Sequence, residues 1–184
     1  MAEKNLDFDT VIDRTHTNSL KYDFAVQRGK PKDVLPLWVA DMDFQVSSYI
    51  QEALSGNVAH GIFGYSEAEG SYFEAVAGWM SRHYGWNVEE TWLVKTPGIV
   101  FALAQAVRAF TEPGDAVLLQ QPVYYPFSQV IRDNGRKIVD NTLVQGEDGR
   151  YRIDFTDFEE KIRSAHVKLF FLCNPHNPVG RVWT

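Results

Sequence analysis

The chain has 184 residues, 45% of them apolar and 14% aromatic, with a formal net charge of −6. That length suits one ordinary domain or a piece of a larger one, and the apolar content supplies a real core rather than a disordered chain. No Lys/Arg cluster offers a footprint for a nucleic-acid backbone, no apolar run nears the roughly 20 residues that cross a bilayer, and the polar, acidic start has no signal-peptide core.

Residues 1–36 are polar and mixed, with little helical period, and read as an arm of short elements. Leu35-Pro36-Leu37-Trp38-Val39-Ala40 is a short extended stretch running into Asp41-Met42-Asp43-Phe44. The spacing over 47–54 suits a helix capped by the Ser47 and Ser48 hydroxyls. Residues 61–65 form a glycine-bounded loop carrying Phe63 and Tyr65. Residues 69–84 predict an amphipathic helix with Phe73, Val76, Ala77 and Met80 on one face, closed by Gly85.

From there strands and helices alternate. Strands are expected at 91–96, 116–120, 136–141 and 167–173, and helices at 99–110, 127–134 and 155–165. Glycine- and proline-bearing turns at 97–98, 112–115 and 146–149 punctuate them. This alternation dictates βαβ units and a mostly parallel sheet, hence an α/β fold. The one cysteine, Cys173, lies in an apolar stretch and can form no internal disulfide, which fits a reducing cytoplasm.

Four places can carry chemistry. Thr96-Pro97-Gly98-Ile99-Val100 joins a strand to a helix. Free amide groups at such a helix start suit a phosphate, although an ordinary strand–helix turn has the same form. Gln121-Pro122-Val123-Tyr124-Tyr125-Pro126 is a stiffened loop past a strand end. Its tyrosines can present a face to an aromatic ligand, or one can pack in the core while the other stays exposed. Asn177 can donate to a phenolate oxygen or cap a turn, and Asn174 is the better candidate for capping. The Tyr65 phenol can reach a phosphate or be a plain loop residue.

Other combinations carry less. Asp41 and Asp43 share a face if extended, or lie in a solvated turn. His16, His60, His83, His166 and His176 show no metal-ligand spacing, so no metal site is expected. There is no Gly-x-Ser-x-Gly elbow and no Walker loop.

In order and spacing, Thr96-Pro97-Gly98-Ile99-Val100, Gln121-Pro122-Val123-Tyr124 and Asn174-Pro175-His176-Asn177-Pro178-Val179-Gly180 resemble the fold-type-I pyridoxal-phosphate (PLP) enzymes of the class I/II aminotransferase family. The segments Leu35 through Phe44, His60-Gly61-Ile62-Phe63-Gly64-Tyr65-Ser66 and Arg181-Val182-Trp183-Thr184 are similar to its cystathionine β-lyase-like C–S lyases. The resemblance covers the whole chain but only the first half of the family's usual length. It implies an arm or small-domain segment at 1–46 and the first, incomplete part of a PLP-binding large domain at 47–184.

The resemblance further implies that Gly98, with the amides of Ile99 and Val100, holds the PLP phosphate. Tyr124 stacks on the pyridine ring, and Asn177 bonds its 3′ oxygen. Tyr65 reaches the phosphate in the neighbouring subunit of a homodimer with shared active sites. Val39-Ala40-Asp41 lies near the substrate end.

The implied reaction is α,β-elimination of cystathionine or cysteine-S-conjugates to pyruvate, ammonia and a thiol. An aminotransferase and a non-catalytic PLP-binding regulatory module are the alternatives. None of this chain's lysines sits in a Ser-x-x-Lys-type loop, so the Schiff-base lysine is expected beyond Thr184 and no catalytic residue is assigned. Alone, the 184 residues are expected to be inert and poorly behaved, with an apolar edge and face left bare.

Overall fold

The structure is a computed structural model that describes residues 7–184, so the first six residues of the expected arm lie outside the described residues. The chain divides into two compact units, Met1–Glu69 and Gly70–Thr184.

Among the described residues before residue 47 there are turns rather than regular elements, apart from a 3-10 turn at Val26–Arg28. Charged side chains fix these turns. The Asp23 carboxylate accepts the backbone N–H groups of His16, Thr17 and Ser19. Helix α1 runs Ser48–His60, six residues past its expected end. Ser55-Gly56-Asn57 reads as a breaker, but Asn57 Nδ2 donates to Ala53 O at 3.0 Å and keeps the turn helical. The helix stops at Gly61, whose φ of 73° other residues rarely adopt.

The second unit begins with α2, Gly70–Tyr84, whose Phe73, Val76, Ala77 and Met80 are half-buried along one face. The strand expected at 91–96 does not form. A 3-10 turn occupies Glu90–Trp92, and the extended backbone after it has no ladder partner. A strand exists only where a neighbouring edge takes its hydrogen bonds, and among the described residues none is offered there.

The remaining elements are α3 (Ile99–Phe110), β1 (Ala116–Leu119), α4 (Pro126–Asp133), β2 (Lys137–Asp140), the hairpin of β3 (Val144–Gln145) and β4 (Tyr151–Arg152), α5 (Phe155–Ser164) and β5 (Leu169–Phe170). The main sheet has the order β2-β1-β5, all parallel, with Val117 opposite both Ile138 and Leu169. Every residue of β1 is buried, as a parallel strand covered on both faces requires.

Alternation along the strands assigns the layers. Phe171 meets Phe127 of α4 edge-on and joins Val107 of α3, Val117, Leu119, Val130 and Ile131 in one cluster. Phe170 points the other way and meets Phe158 of α5. Helices α3 and α4 therefore cover one face and α5 the other. Strand β5 is much shorter than the expected 167–173. Its ladder follows β1, and β1 leaves the sheet after Leu119.

Ile131 is fully buried in the cluster. Ile131→Ala is expected to lower unfolding stability by roughly 2–5 kcal/mol, measured by urea denaturation. The half-exposed Val144, changed to Ala, should stay within about 0.5 kcal/mol of the parent. Equal effects would place the core elsewhere.

Candidate functional site

From β1 the chain first runs to β2 on one side and later returns to β5 on the other. The strand order thus reverses at β1. The crevice at the carboxyl ends of β1 and β5 is a switch point of the kind where open α/β sheets bind ligands. Two loops leave it, residues 120–125 after β1 and 171–184 after β5.

These loops are bonded to each other. The Tyr124 N–H donates to the Asn177 carbonyl at 2.8 Å. His176, only 2% exposed, has Nε2 at 3.0 Å from the Pro122 carbonyl and Nδ1 at 3.1 Å from Trp183 Nε1. The Asn177 N–H points back to Cys173 Sγ at 3.4 Å. The two asparagines differ in their bonds, and Asn174 does not cap the turn that follows it, since the His176 N–H goes to the Arg181 carbonyl. Asn174 Oδ1 accepts the Trp183 N–H at 3.0 Å, whereas the exposed side-chain amide of Asn177 makes no hydrogen bond among the described residues. Tyr124 is 40% and Tyr125 71% exposed, and the two rings pack edge to face at 5.4 Å. Neither tyrosine enters the core.

The third predicted segment reaches the same edge. Helix α3 packs on β1 through Val107 and joins it by a short turn, so it runs antiparallel to the strand. Its 12 residues span about 18 Å, against about 13 Å for the four residues of β1. The start of α3 therefore lies toward the carboxyl ends of the strands. Gly98 there has φ 129°, a conformation open to glycine alone, and a side chain at that position would meet no atom within 4 Å. No side chain caps the helix start, because Thr96 Oγ1 donates to the Gly98 carbonyl instead, at 3.2 Å. Gly98, Ile99, Val100, Tyr124 and Asn177 thus belong to one edge of one sheet. A free helix start, an exposed phenol ring and an unengaged amide form a donor set that fits a phosphorylated aromatic ring.

Tyr65 belongs to the first unit, in the loop after α1, with its ring fully exposed. Asp41 and Asp43 of that unit are neither a free acid pair nor a bare turn. Arg14 pairs with both, and the buried Lys21 ammonium bonds Asp43 at 3.0 Å and the Asp41 carbonyl at 2.9 Å. The hydrogen bond from Arg14 is the main reason that each carboxyl sits below its ordinary pKa.

Sequence reasoning misses the roles of His176 and Trp183, because the spacing of the histidines bears only on metal ligation. Among the described residues no group of three or more His, Cys, Asp or Glu could hold a metal ion. It also misses a hydrogen-bonded chain on the α5 face, buried at Gln120 and Asn141 and half-buried at Asp157 and Lys161. Gln120 Nε2 donates to Asn141 Oδ1 at 2.9 Å, and Asn141 Nδ2 donates to Asp157 at 2.7 Å. Lys161 pairs with Asp157 at 2.8 Å, and its hydrogen bond is the chief cause of that carboxyl's lowered pKa. Two carboxamide residues, Gln120 and Asn141, at consecutive strand ends are the one signal that could have pointed to it. No described helix is long and apolar enough to cross a membrane.

The family model for aminotransferase class I and II matches residues 32–184. Cystathionine beta-lyase PatB of Bacillus subtilis (strain 168) is 47% identical over 97% of this chain and 46% of its own length. Among solved structures, cystalysin of Treponema denticola, which contains pyridoxal 5′-phosphate, superposes with a TM-score of 0.88 at 37% identity, covering 98% of this chain and 46% of that one. The PLP-bound C–S lyase of Staphylococcus hominis gives 0.86 at 34% identity, covering 97% and 45%. The chain therefore spans about half the length of the relatives it matches.

Burial holds the His176 imidazole below its ordinary pKa of 6.5, against the opposing pull of the Pro122 and Gln120 carbonyls. Above pH 6.5 neither the folded nor the unfolded chain binds this proton. Below it the unfolded chain takes up the proton first, so the folded state loses stability until its own, lower pKa is passed. The urea midpoint is expected to fall from pH 6.5 toward pH 5 more steeply in the parent chain than in His176→Gln, ahead of the carboxylate range near pH 4. Parallel profiles would show that His176 is not buried neutral.

Proposed function

This chain belongs to the aminotransferase class I and II family, and we propose that it forms the cofactor-holding part of a PLP-dependent carbon–sulfur lyase. The proposed reaction is α,β-elimination of cystathionine or a cysteine-S-conjugate to pyruvate, ammonia and a thiol. The observation that most supports it is the bond from the Tyr124 N–H to the Asn177 carbonyl, 2.8 Å long, which unites an exposed ring and an unengaged amide at a switch point.

On this reading the amides of Ile99 and Val100 hold the phosphate, and Gly98 leaves room for it. The Tyr124 ring covers one face of the pyridine. The Asn177 amide donates to the ring's phenolate oxygen and stabilises its negative charge, a charge-assisted bond stronger than a neutral one. Tyr65 serves the phosphate site of a second subunit, which makes the protein a homodimer with shared sites. When bound, PLP supplies an electron sink that stabilises negative charge at the substrate's Cα. This chain's residues hold and orient that sink. The proton-moving lysine is assigned to none of them.

The proposed division is an arm or small-domain segment at 1–46 and large-domain structure at 47–184, in a cytoplasmic enzyme. The names of the matched relatives favour a lyase. An aminotransferase shares the family and would use the same cradle.

Pyruvate release from cystathionine without any added keto acid separates the two. A polypeptide joining this chain to the lysine-bearing half of the family should release it, and the 184 residues alone should not. Amino transfer that requires a keto acid would replace the lyase reading. In the active polypeptide, Asn177→Ala is expected to lower kcat/KM by about 10- to 100-fold, as the loss of a hydrogen bond to a charged group implies. An unchanged value would remove Asn177 from the site.

A further inference from the structure

We propose that His176 is a positioning residue that sets the spacing of Tyr124 and Asn177, with Trp183 fixing the imidazole tautomer through which it acts. The proposal rests on the reading above, in which those two residues hold a phosphorylated pyridine.

The tautomer follows from the partners. An indole N–H only donates, so His176 Nδ1, 3.1 Å from Trp183 Nε1, must be the acceptor. The imidazole proton then sits on Nε2 and is donated to the Pro122 carbonyl at 3.0 Å. The ring is wedged between the two loops, edge-on to Trp183 at 5.5 Å and 89°. Trp183 is itself held, since Nε1 also reaches the Cys173 carbonyl at 3.2 Å and its backbone N–H reaches Asn174. The His176 backbone is fixed as well, donating to the Arg181 carbonyl at 2.6 Å and accepting from the Gly180 N–H at 2.8 Å.

Two bonds thus cross the same gap side by side. One runs from the His176 side chain to Pro122, the other from the Tyr124 N–H to the Asn177 carbonyl. A single bond is a hinge, whereas two adjacent bonds fix both distance and twist. The fixed φ of Pro122 limits the freedom of the loop that carries the accepting carbonyl. His176 is buried and reaches no ligand. Its effect on the cradle runs through the two residues that flank the clasp.

The probe is 4′-deoxypyridoxine 5′-phosphate, which lacks the aldehyde and so cannot react with surface lysines. Its affinity for the cofactor-free form of the polypeptide that joins this chain to the lysine-bearing half of the family is measured by calorimetry. His176→Phe fills the space without either bond and is expected to weaken binding at least fivefold. His176→Gln keeps a donor near the Nε2 position and should stay within about twofold of the parent. Trp183→Phe should fall between the two. In 15N-histidine spectra of the parent polypeptide at neutral pH, His176 should be the Nε2–H tautomer alone, and Trp183→Phe should mix the two tautomers.

A folded His176→Phe variant that binds the probe as tightly as the parent overturns the proposal. So does an Nδ1–H tautomer in the parent. If His176→Phe does not fold, Trp183→Phe and the tautomer spectrum still decide. A parent polypeptide that shows the expected tautomer but binds no probe overturns the cofactor reading, and the positioning role falls with it.

Discussion

Parallel pairing of β1 with β5 is the constraint on which the rest of the second unit depends. It brings the Pro122 and His176 segments, 54 residues apart in sequence, to the same end of one sheet. The pairing is short, but β1 is buried along its whole length between α3 and α4 on one face and α5 on the other. Shifting the register by one residue would turn Phe170 and Phe171 each toward the wrong layer. The two aromatic contacts therefore specify where the carboxyl ends stop, and with them where both loops begin.

Polar groups at that edge fall into two sets. His176, Gln120 and Asn141 are buried and each makes side-chain hydrogen bonds within the fold, which offsets the cost of burying them, although Gln120 Oε1 is left without a partner among the described residues. Asn177 and Tyr124 are exposed and bond the fold through backbone atoms, with the Tyr124 ring resting edge to face on Tyr125 and keeping part of its surface open. Fixing the backbone through one set while leaving the other side chains open is what preorganisation of a binding site requires. The buried set costs desolvation on folding. The exposed set costs nothing until a ligand arrives.

What was legible in the sequence was mostly local. Helix α3 matched its expected range because its apolar period and bounding turns lie within one window, and the amphipathic face of α2 was likewise plain. The 91–96 segment misled because a strand needs a partner edge, which no local window reveals. The β3–β4 hairpin was seen only as its turn, since two-residue strands show no alternation. The loops of the candidate site were legible through the Asn-Pro and Pro-Gly corners, but the Asn174 bond was not, because its partner Trp183 lies nine residues on, beyond any local turn. Nor was His176. Its partners are seven and 54 residues away, and a lone histidine between two Asn-Pro pairs carries no periodic signal.

The helix starts show how little composition alone decides. Ser47 caps α1 and Asp154 caps α5, each with a side-chain oxygen on the first-turn amides. Helix α4 has no such cap, but Pro126 at its start removes one of the amides in need of a partner. Only α3, among these, begins with neither device, and the nearby Thr96 hydroxyl is turned to a carbonyl rather than to the amides. Glycine at position 98 is what its φ of 129° demands, and it also keeps the approach clear. By itself an uncapped helix start is an ordinary feature. It acquires meaning here because it lies at the edge where Tyr124 and Asn177 are bonded together, so the case for a phosphate there depends on the sheet and not on the glycine.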